Sequence, residues 1–310
     1  MPNRILRVSL RVVRAGAVGL FAASLSAAIA YAEDAANDPE TCAEVWQEIG
    51  LPETEDGLHD PTPVCHEAYI LGHNRKTRTP DWVVEHLTKK LVRKVHSRPS
   101  KKFRTEPSLP DDVSGAETAD YEGGLELGID IGHQAPSEDY SSSKQLMEDT
   151  FFFSNAVPQD ANFNRGVWRS LETRVRKLAA NRGEIYVITG PVNLAKPVRI
   201  DGDVEGCGTS FKLKKPDRKA VGNVRVPAAL YKIIYDPKQG FFDAARLNAF
   251  LLPNVNHSKL KDTSSTPAYL QRYRVRLETI ETLTGLNFLP ELDERTKTQL
   301  ATDCPTSMLH

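Results

Sequence analysis

Hydrophobic residues recur along this chain at two spacings, which predict a mixture of helices and strands. From Asn164 onward, apolar residues repeat three or four positions apart and Gly183 follows as a stop, so a helix is predicted over 164–181. A second helical pattern covers 273–284 and ends at Gly285. The apolar residues of the first helix are Val167, Trp168, Leu171, Val175 and Leu178.

Short apolar runs bounded by turn residues predict buried strands. These runs are Trp82–Thr88, Ile185–Thr189 and Ala228–Tyr235. Several glycines precede His133, so a turn and a short strand are predicted there rather than a helix. Because strands and helices follow one another without a regular βαβ alternation, the predicted fold class is α+β.

The first 32 residues differ in composition from the rest of the chain. They contain four arginines and no acidic residue, and an apolar stretch begins at Ala15 and ends Ala30-Tyr31-Ala32. This pattern is typical of a secretory signal peptide, and an uncleaved membrane anchor is the alternative interpretation. We therefore expect cleavage before Glu33 and a secreted or periplasmic protein.

Export would place the four cysteines where disulfides persist. Four cysteines allow three pairings. The simplest joins Cys42 to Cys65 and Cys207 to Cys304, although the sequence alone leaves the pairing open. The formal net charge is −1, so any nucleic-acid site must be a local basic patch.

Composition divides the remaining chain into two parts. Residues 33–64 are acidic and rich in proline, which predicts an arm with little regular structure. Residues 65–310 are predicted to form one domain. Within it, the segment 89–104 is strongly basic, and it is interpreted either as part of a nucleic-acid-binding surface or as a solvated loop.

Three sequence blocks occur in a fixed order, and their order and spacing are more specific than any one of them. They are Asp130–Pro136, Phe153–Gln159 and Asn162–Glu172. On these blocks the chain resembles the DNA/RNA non-specific endonuclease family, which includes secreted bacterial nucleases and mitochondrial endonuclease G. The resemblance runs from about residue 65 to the C-terminus. It implies a ββα-metal (His-Me finger) core on a central, mainly antiparallel sheet with flanking helices.

Hydrolysis of a phosphodiester needs a base that activates water and relief for a departing alkoxide. A neutral imidazole can take the proton of water at working pH, and the resemblance implies this role for His133. A lone histidine is more often structural, so the catalytic interpretation of His133 depends on the motif block that surrounds it.

The resemblance assigns a metal to Asn164, in a site completed mainly by water. A neutral oxygen ligand of this kind suits Mg²⁺, for which Mn²⁺ can substitute. On its own, Asn164 would be interpreted as a helix N-cap, and both roles are compatible.

Four further residues are implied as parts of the site. Glu172 lies about 80° around the helix from Asn164 and can hold a water of the metal. Arg176, one turn later, matches a family arginine that contacts phosphate, and the alternative is a surface ion pair between Glu172 and Arg176. Asp130 matches a supporting aspartate, unless it is a turn former, and Asn155 is a weaker supporting candidate.

Nucleic acid is expected to bind through phosphate contacts, which carry no sequence code. Lys101, Arg165 and Arg169 are the leading candidates, and Lys101 is the nearest match to an upstream family arginine, with Arg98 close by. The further cations expected to contribute are Arg174, Arg176, Lys177 and Arg182. Ile131 departs from the family pattern, where arginine is usual, so altered affinity or pH dependence is expected rather than lost activity.

The sequence therefore predicts an exported endonuclease that cuts DNA and RNA to 5′-phosphate products, with one Mg²⁺ and a histidine base. The alternative is a catalytically weakened nucleic-acid-binding homologue of the same fold. Expected partners are the DNA and RNA substrates, with no stable membrane association after signal cleavage and with a homodimer as an allowed assembly.

Overall fold

The computed structural model describes residue 46 and residues 48–54, 60–113, 115–193, 203–213, 220–238, 246–257, 267–302 and 304. These residues all belong to one compact unit of the chain. The predicted signal peptide and most of the predicted arm lie outside them. In the described part, no helix is long and apolar enough to cross a membrane.

A seven-stranded, entirely antiparallel sheet forms the centre of the described fold. Its strands, in spatial order, are β14 (Arg274–Val275), β13 (Leu247–Pro253), β12 (Ala229–Tyr235), β7 (Glu184–Val192), β4 (Thr79–Thr88), β3 (Tyr69–Asn74) and β2 (Thr62–Cys65). The other strands form two-stranded pairs: β1 (Glu53–Thr54) with β15 (Leu286–Asn287), β5 (Ile129–His133) with β6 (Ala156–Asp160), β8 (Asp203–Glu205) with β9 (Ser210–Lys212), and β10 (Ala220–Val221) with β11 (Val224–Arg225).

The central strands are apolar on both faces because a hydrophobic core covers each face. In β4, Val83 and Leu87 point into one core, whereas Trp82 and Val84 point into the other. This explains why the sequence of these strands is a nearly continuous apolar run. The three strands predicted from such runs are confirmed as β4, β7 and β12.

Helices flank the sheet, as predicted. They are α1 (Lys144–Asp149), α2 (Ala161–Phe163), α3 (Arg169–Arg182), α4 (Pro267–Gln271), α5 (Leu277–Thr284) and α6 (Glu294–Thr302), with a π-helical segment (Asn164–Trp168) joining α2 to α3. Single 3₁₀ turns occupy Thr118–Tyr121, Leu125–Leu127, Ser137–Tyr140 and Phe153–Asn155.

The helix predicted over 164–181 is confirmed, with its first turn widened into the π form. Trp168, Leu171 and Val175 pack on one face of the central sheet, as their spacing predicts. The helix predicted over 273–284 begins only at Leu277, because β14 pairs with β13 before it. A tertiary contact therefore overrides the helical periodicity at its first residues.

The predicted arm is more ordered at its end than its composition suggests. Within the described residues, β1 pairs with β15, and β2 forms an edge of the central sheet. Cys207 and Cys304 form a disulfide, which confirms that predicted pair. Cys65 is also disulfide-bonded, whereas Cys42, its predicted partner, lies outside the described residues.

Candidate active site

An antiparallel hairpin followed by a helix brings the three sequence blocks together. His133 is the last residue of β5 and pairs with Ala156, the first residue of β6. The chain leaves β6 directly into α2 and the π-helical segment, which begins at Asn164. A groove of about 350 Å³ lies against these elements and is lined by Arg98, Ile131, His133, Pro136, Ser137, Glu138, Asn164, Arg165, Arg169 and Glu172.

His133 is held in a mostly aromatic environment at this groove. Its ring centroid lies 4.6 Å from that of Phe103 and 4.7 Å from that of Phe151, which meets it edge to face. Burial, and secondarily the positive charge of Arg98, lower the pKa of His133 to about 3. The imidazole is therefore neutral near pH 7. Its Nε2 atom makes no hydrogen bond to any described residue.

Close packing before His133 and hydrogen bonds after it fix the backbone on both sides of this residue. Gly132 lies so close to the Gln159 side chain that a Cβ atom on it would come within 2.1 Å of Gln159 Cδ. After His133, the Asn155 side chain accepts a hydrogen bond from the Ala135 amide at 2.9 Å and donates to the Ala135 carbonyl at 3.0 Å. Asn155 thus positions the backbone that follows His133.

Asp130 orients the side chain of Asn164. The Asn164 amide nitrogen donates to Asp130 Oδ2 at 2.9 Å, so the amide oxygen is the Asn164 side-chain atom left to accept a cation. Arg165 binds the same carboxylate with two nitrogens, at 2.8 and 2.5 Å. The π-helical turn carries both residues, and such turns are frequent at functional sites.

The donor set at this groove fits a hard divalent cation. Among the described residues there is no cluster of three or more histidine, cysteine or acidic side chains that would form an all-protein metal cage. Mg²⁺ is usually held by one or two protein oxygens and keeps several waters. The Asn164 amide oxygen, with the carboxylates of Glu138 and Glu172 in the same groove, meets that requirement.

Glu172 carries an unusual proton affinity. Burial raises its pKa to about 7, against the opposing attraction of Lys232 and Arg176. The negative charges of Asp139 and Glu138 add to the rise. The carboxyl therefore exchanges its proton close to neutral pH.

Arg176 is held by two acidic side chains beside the groove. Its guanidinium donates to Asp139 at 2.7 Å and to Glu138 at 2.9 Å. It is not among the residues that line the groove, and its predicted contact with phosphate stays a prediction. Because Glu138 does line the groove, Arg176 holds one of the groove's walls in place.

The basic residue near His133 is Arg98 rather than Lys101. Arg98 lines the groove and stacks at 5.5 Å on Phe151, whereas Lys101 forms an ion pair with Glu148 at 3.1 Å. The basic composition of the segment 89–104 had indicated that a cation such as Arg98 could belong to the site. No sequence pattern indicated that Glu138 belongs to the site, because only the folded chain brings it there.

Ile131 and Arg169 also line the groove. Ile131 packs against a small apolar cluster that contains Tyr121 and Phe153, which gives its side chain a structural role in place of the usual arginine. Arg169 is largely exposed and lies 3.9 Å from Glu138.

The hairpin, the helix that follows it and the antiparallel sheet behind them define a nuclease of the ββα-metal class, an α+β fold as predicted. The chain belongs to the DNA/RNA non-specific endonuclease family, whose model matches residues 55–295.

Individual relatives agree with this assignment. The mitochondrial nuclease EXOG of Danio rerio is 33% identical over 273 residues, covering 88% of this chain and 72% of that protein. Nuclease C1 of Cunninghamella echinulata is 34% identical over 246 residues, covering 78% of this chain and 88% of that protein. A chain in a solved EndoG/EndoGI inhibitory complex superposes with a TM-score of 0.61 at 26% identity, over 81% of this chain and 94% of that chain.

The relatives correct the expected location. Besides the Danio rerio protein, a relative from Saccharomyces cerevisiae, 31% identical over 245 residues, is named as a mitochondrial nuclease; it covers 76% of this chain and 67% of that protein. These names point to mitochondria and contradict the prediction of a secreted or periplasmic protein. An arginine-rich segment without acidic residues is typical of mitochondrial targeting sequences as well as of signal peptides, which explains the error.

Proposed function

We propose that this enzyme hydrolyses phosphodiester bonds in both DNA and RNA, with His133 as general base and Mg²⁺ bound at Asn164. The observation that carries the proposal is that His133, Asn164 and Glu172 line one groove, which also contains Arg98 and Arg169. The groove thus combines a neutral base, an oxygen donor for a cation and positive charge for a phosphate.

His133 accepts the proton of the attacking water while the water oxygen bonds to phosphorus and the bond to the 3′-oxygen breaks. The departing 3′-oxygen takes a proton from water, and the phosphate stays on the 5′-oxygen of the downstream fragment, as the family resemblance implies. A pKa of about 3 makes the free imidazole a weak base. A bound phosphate offsets the charge of Arg98, the smaller of the two causes of that low pKa, whereas burial is the larger.

Asn164 holds the cation through its amide oxygen, and Asp130 keeps that oxygen correctly oriented. When bound, Mg²⁺ supplies positive charge that stabilises the phosphate and the departing oxygen. Glu172 accepts hydrogen bonds from water within the groove. Because the nucleophile is water, the ribose 2′-hydroxyl is not required, and one site serves DNA and RNA.

The proposal is tested by digestion of supercoiled plasmid and of RNA with purified protein. Cleavage of both is expected with Mg²⁺, and excess EDTA should abolish it until Mg²⁺ is restored. Products are expected to carry 5′-phosphates, detectable as direct substrates for ligation. Cleavage that persists in EDTA would reject the metal, and cleavage of RNA alone would reject the water nucleophile.

The role of Asn164 predicts a change in metal requirement. Asn164→Ala is expected to raise the Mg²⁺ concentration for half-maximal rate by about 10–100-fold or more, and Asp130→Ala to raise it as well, because the amide loses its orientation. A Mg²⁺ titration of the initial rate measures both effects.

Asn162→Ala is the matched control, since Asn162 is an exposed asparagine in α2, next to the π-helical turn. It should leave the titration unchanged. An unaltered Mg²⁺ requirement in Asn164→Ala would remove this residue from the cation site.

A further inference from the structure

We propose that the segment 89–102 is a track on which one strand of the nucleic-acid substrate lies on its way to the groove. The inference rests on the proposed function for the identity of its ligand. The track consists of six exposed cations, which we call the basic strip: Lys89, Lys90, Arg93, Lys94, Arg98 and Lys102.

The basic strip carries positive charge that the described residues do not neutralise. None of its six cations forms an ion pair with a described residue. The Arg98 guanidinium also stacks on the Phe151 ring. A row of exposed, unpaired cations beside a phosphodiesterase groove is complementary to a phosphate backbone.

The cations of the π-helical turn and α3 are different, although the sequence predicted them as the main binding residues. Arg165 pairs with Asp130, Arg176 with Asp139, and Arg182 with Asp236 at 3.2 Å. Arg169 lies 3.9 Å from Glu138. A phosphate at Arg165, Arg176 or Arg182 would have to compete with a carboxylate. Lys177 of α3 is exposed and forms no ion pair with a described residue. The basic strip therefore presents more unpaired positive charge than the cations of α3 do, and we assign the approach of the substrate strand to it.

Backbone hydrogen bonds set the course of the strip. Lys89 donates its amide hydrogen to the carbonyl of Gly183, which caps the C-terminal end of α3. Further along, the amides of Val95 and His96 donate to the carbonyl of Ser141. The strip then reaches the groove at Arg98, where Arg169 at the opposite end of α3 also lies. The strip thus runs alongside α3 and in the opposite direction.

The length of α3 indicates how much substrate the strip can hold. Fourteen residues of helix span about 21 Å at roughly 1.5 Å per residue. One strand of a duplex advances about 3.4 Å per nucleotide, so the strip covers about six nucleotides on one side of the cut. Cleavage of long substrates should therefore be more efficient than cleavage of very short ones.

The test compares two double variants that each remove one arginine and one lysine. Arg93→Gln/Lys94→Gln alters the strip. Arg75→Gln/Lys76→Gln alters the turn at the other end of β4, which lies about 30 Å from Lys89 because ten strand residues separate them. Binding of a fluorescent duplex of about 20 base pairs is measured by anisotropy in EDTA, with KCl varied from about 0.05 to about 0.3 M.

The strip variant is expected to bind about tenfold more weakly at about 0.1 M salt and to reduce the slope of log Kd against log salt by about two. The control should change neither. Hydrolysis of bis-p-nitrophenyl phosphate with Mg²⁺, which reaches only the groove, should be equal in all three proteins.

An equal loss of affinity in both variants, or an unchanged salt slope in the strip variant, would contradict the proposal that the segment 89–102 binds the substrate strand. Failure of the unmodified protein to cleave anything would reject the proposed function instead, because the binding measurement in EDTA does not depend on catalysis. The two proposals therefore fail separately.

Discussion

His133→Ala is expected to lower the rate of DNA and RNA cleavage by about 10²–10⁴-fold, the usual contribution of a positioned general base. Alanine removes the imidazole that accepts the proton of water, while Asn164, Arg98 and the rest of the groove remain. The rate is measured under single-turnover conditions with plasmid and with RNA at saturating Mg²⁺. Both substrates should lose the same factor, because the same base serves both.

His96→Ala is the matched control, since His96 is an exposed histidine that is not one of the six cations of the basic strip and whose backbone amide donates to the carbonyl of Ser141. It should retain full activity. Circular dichroism and Tm of both variants exclude unfolding as the cause of any loss. Substantial activity in folded His133→Ala would refute the histidine mechanism.

Glu172→Gln is expected to make the protein more stable at pH 8 and less active. The pKa of Glu172 is raised to about 7 in the folded state. Between about pH 4 and pH 7 the folded protein therefore holds a proton that the unfolded chain has released. The contribution of Glu172 to stability falls as the pH rises through this window, and it stays low above it.

Glutamine carries no charge and removes this effect. One pKa unit corresponds to about 1.4 kcal/mol, so the free energy of unfolding should rise by up to about 3 kcal/mol at pH 8. For a protein of this size the Tm should rise by roughly 5–10 °C at pH 8, with the gain vanishing toward pH 4. Activity should fall by at least about tenfold, because the amide orients water less strongly than a carboxylate.

Glu184→Gln provides a control of opposite sign. Hydrogen bonding to Lys238 is the largest cause that lowers the pKa of Glu184, so its ionised form favours the folded state above that pKa. Glu184→Gln should therefore not stabilise the protein at pH 8. A Glu172→Gln variant that is no more stable than the unmodified protein at pH 8 would show that Glu172 is not held at a raised pKa.

Sequence by itself determined the elements whose pattern is local and continuous. The apolar runs of β4, β7 and β12 and the three- and four-residue spacing along α3 predicted their own burial, because each reflects a surface facing a hydrophobic core. The same held for the family, since three motif blocks at fixed spacing identify it. The composition of the N-terminus led to a wrong prediction of the location, because signal peptides and mitochondrial targeting sequences both carry positive charge and few acidic residues.

Only the tertiary structure decided which charges are paired with one another. Arg165 and Arg176 looked like phosphate contacts in the sequence, but the fold brings Asp130, Glu138 and Asp139 against them. It likewise brings Arg98 to His133 from 35 positions earlier in the chain. Charge pairing depends on distances between residues far apart in sequence, and no local pattern encodes those distances.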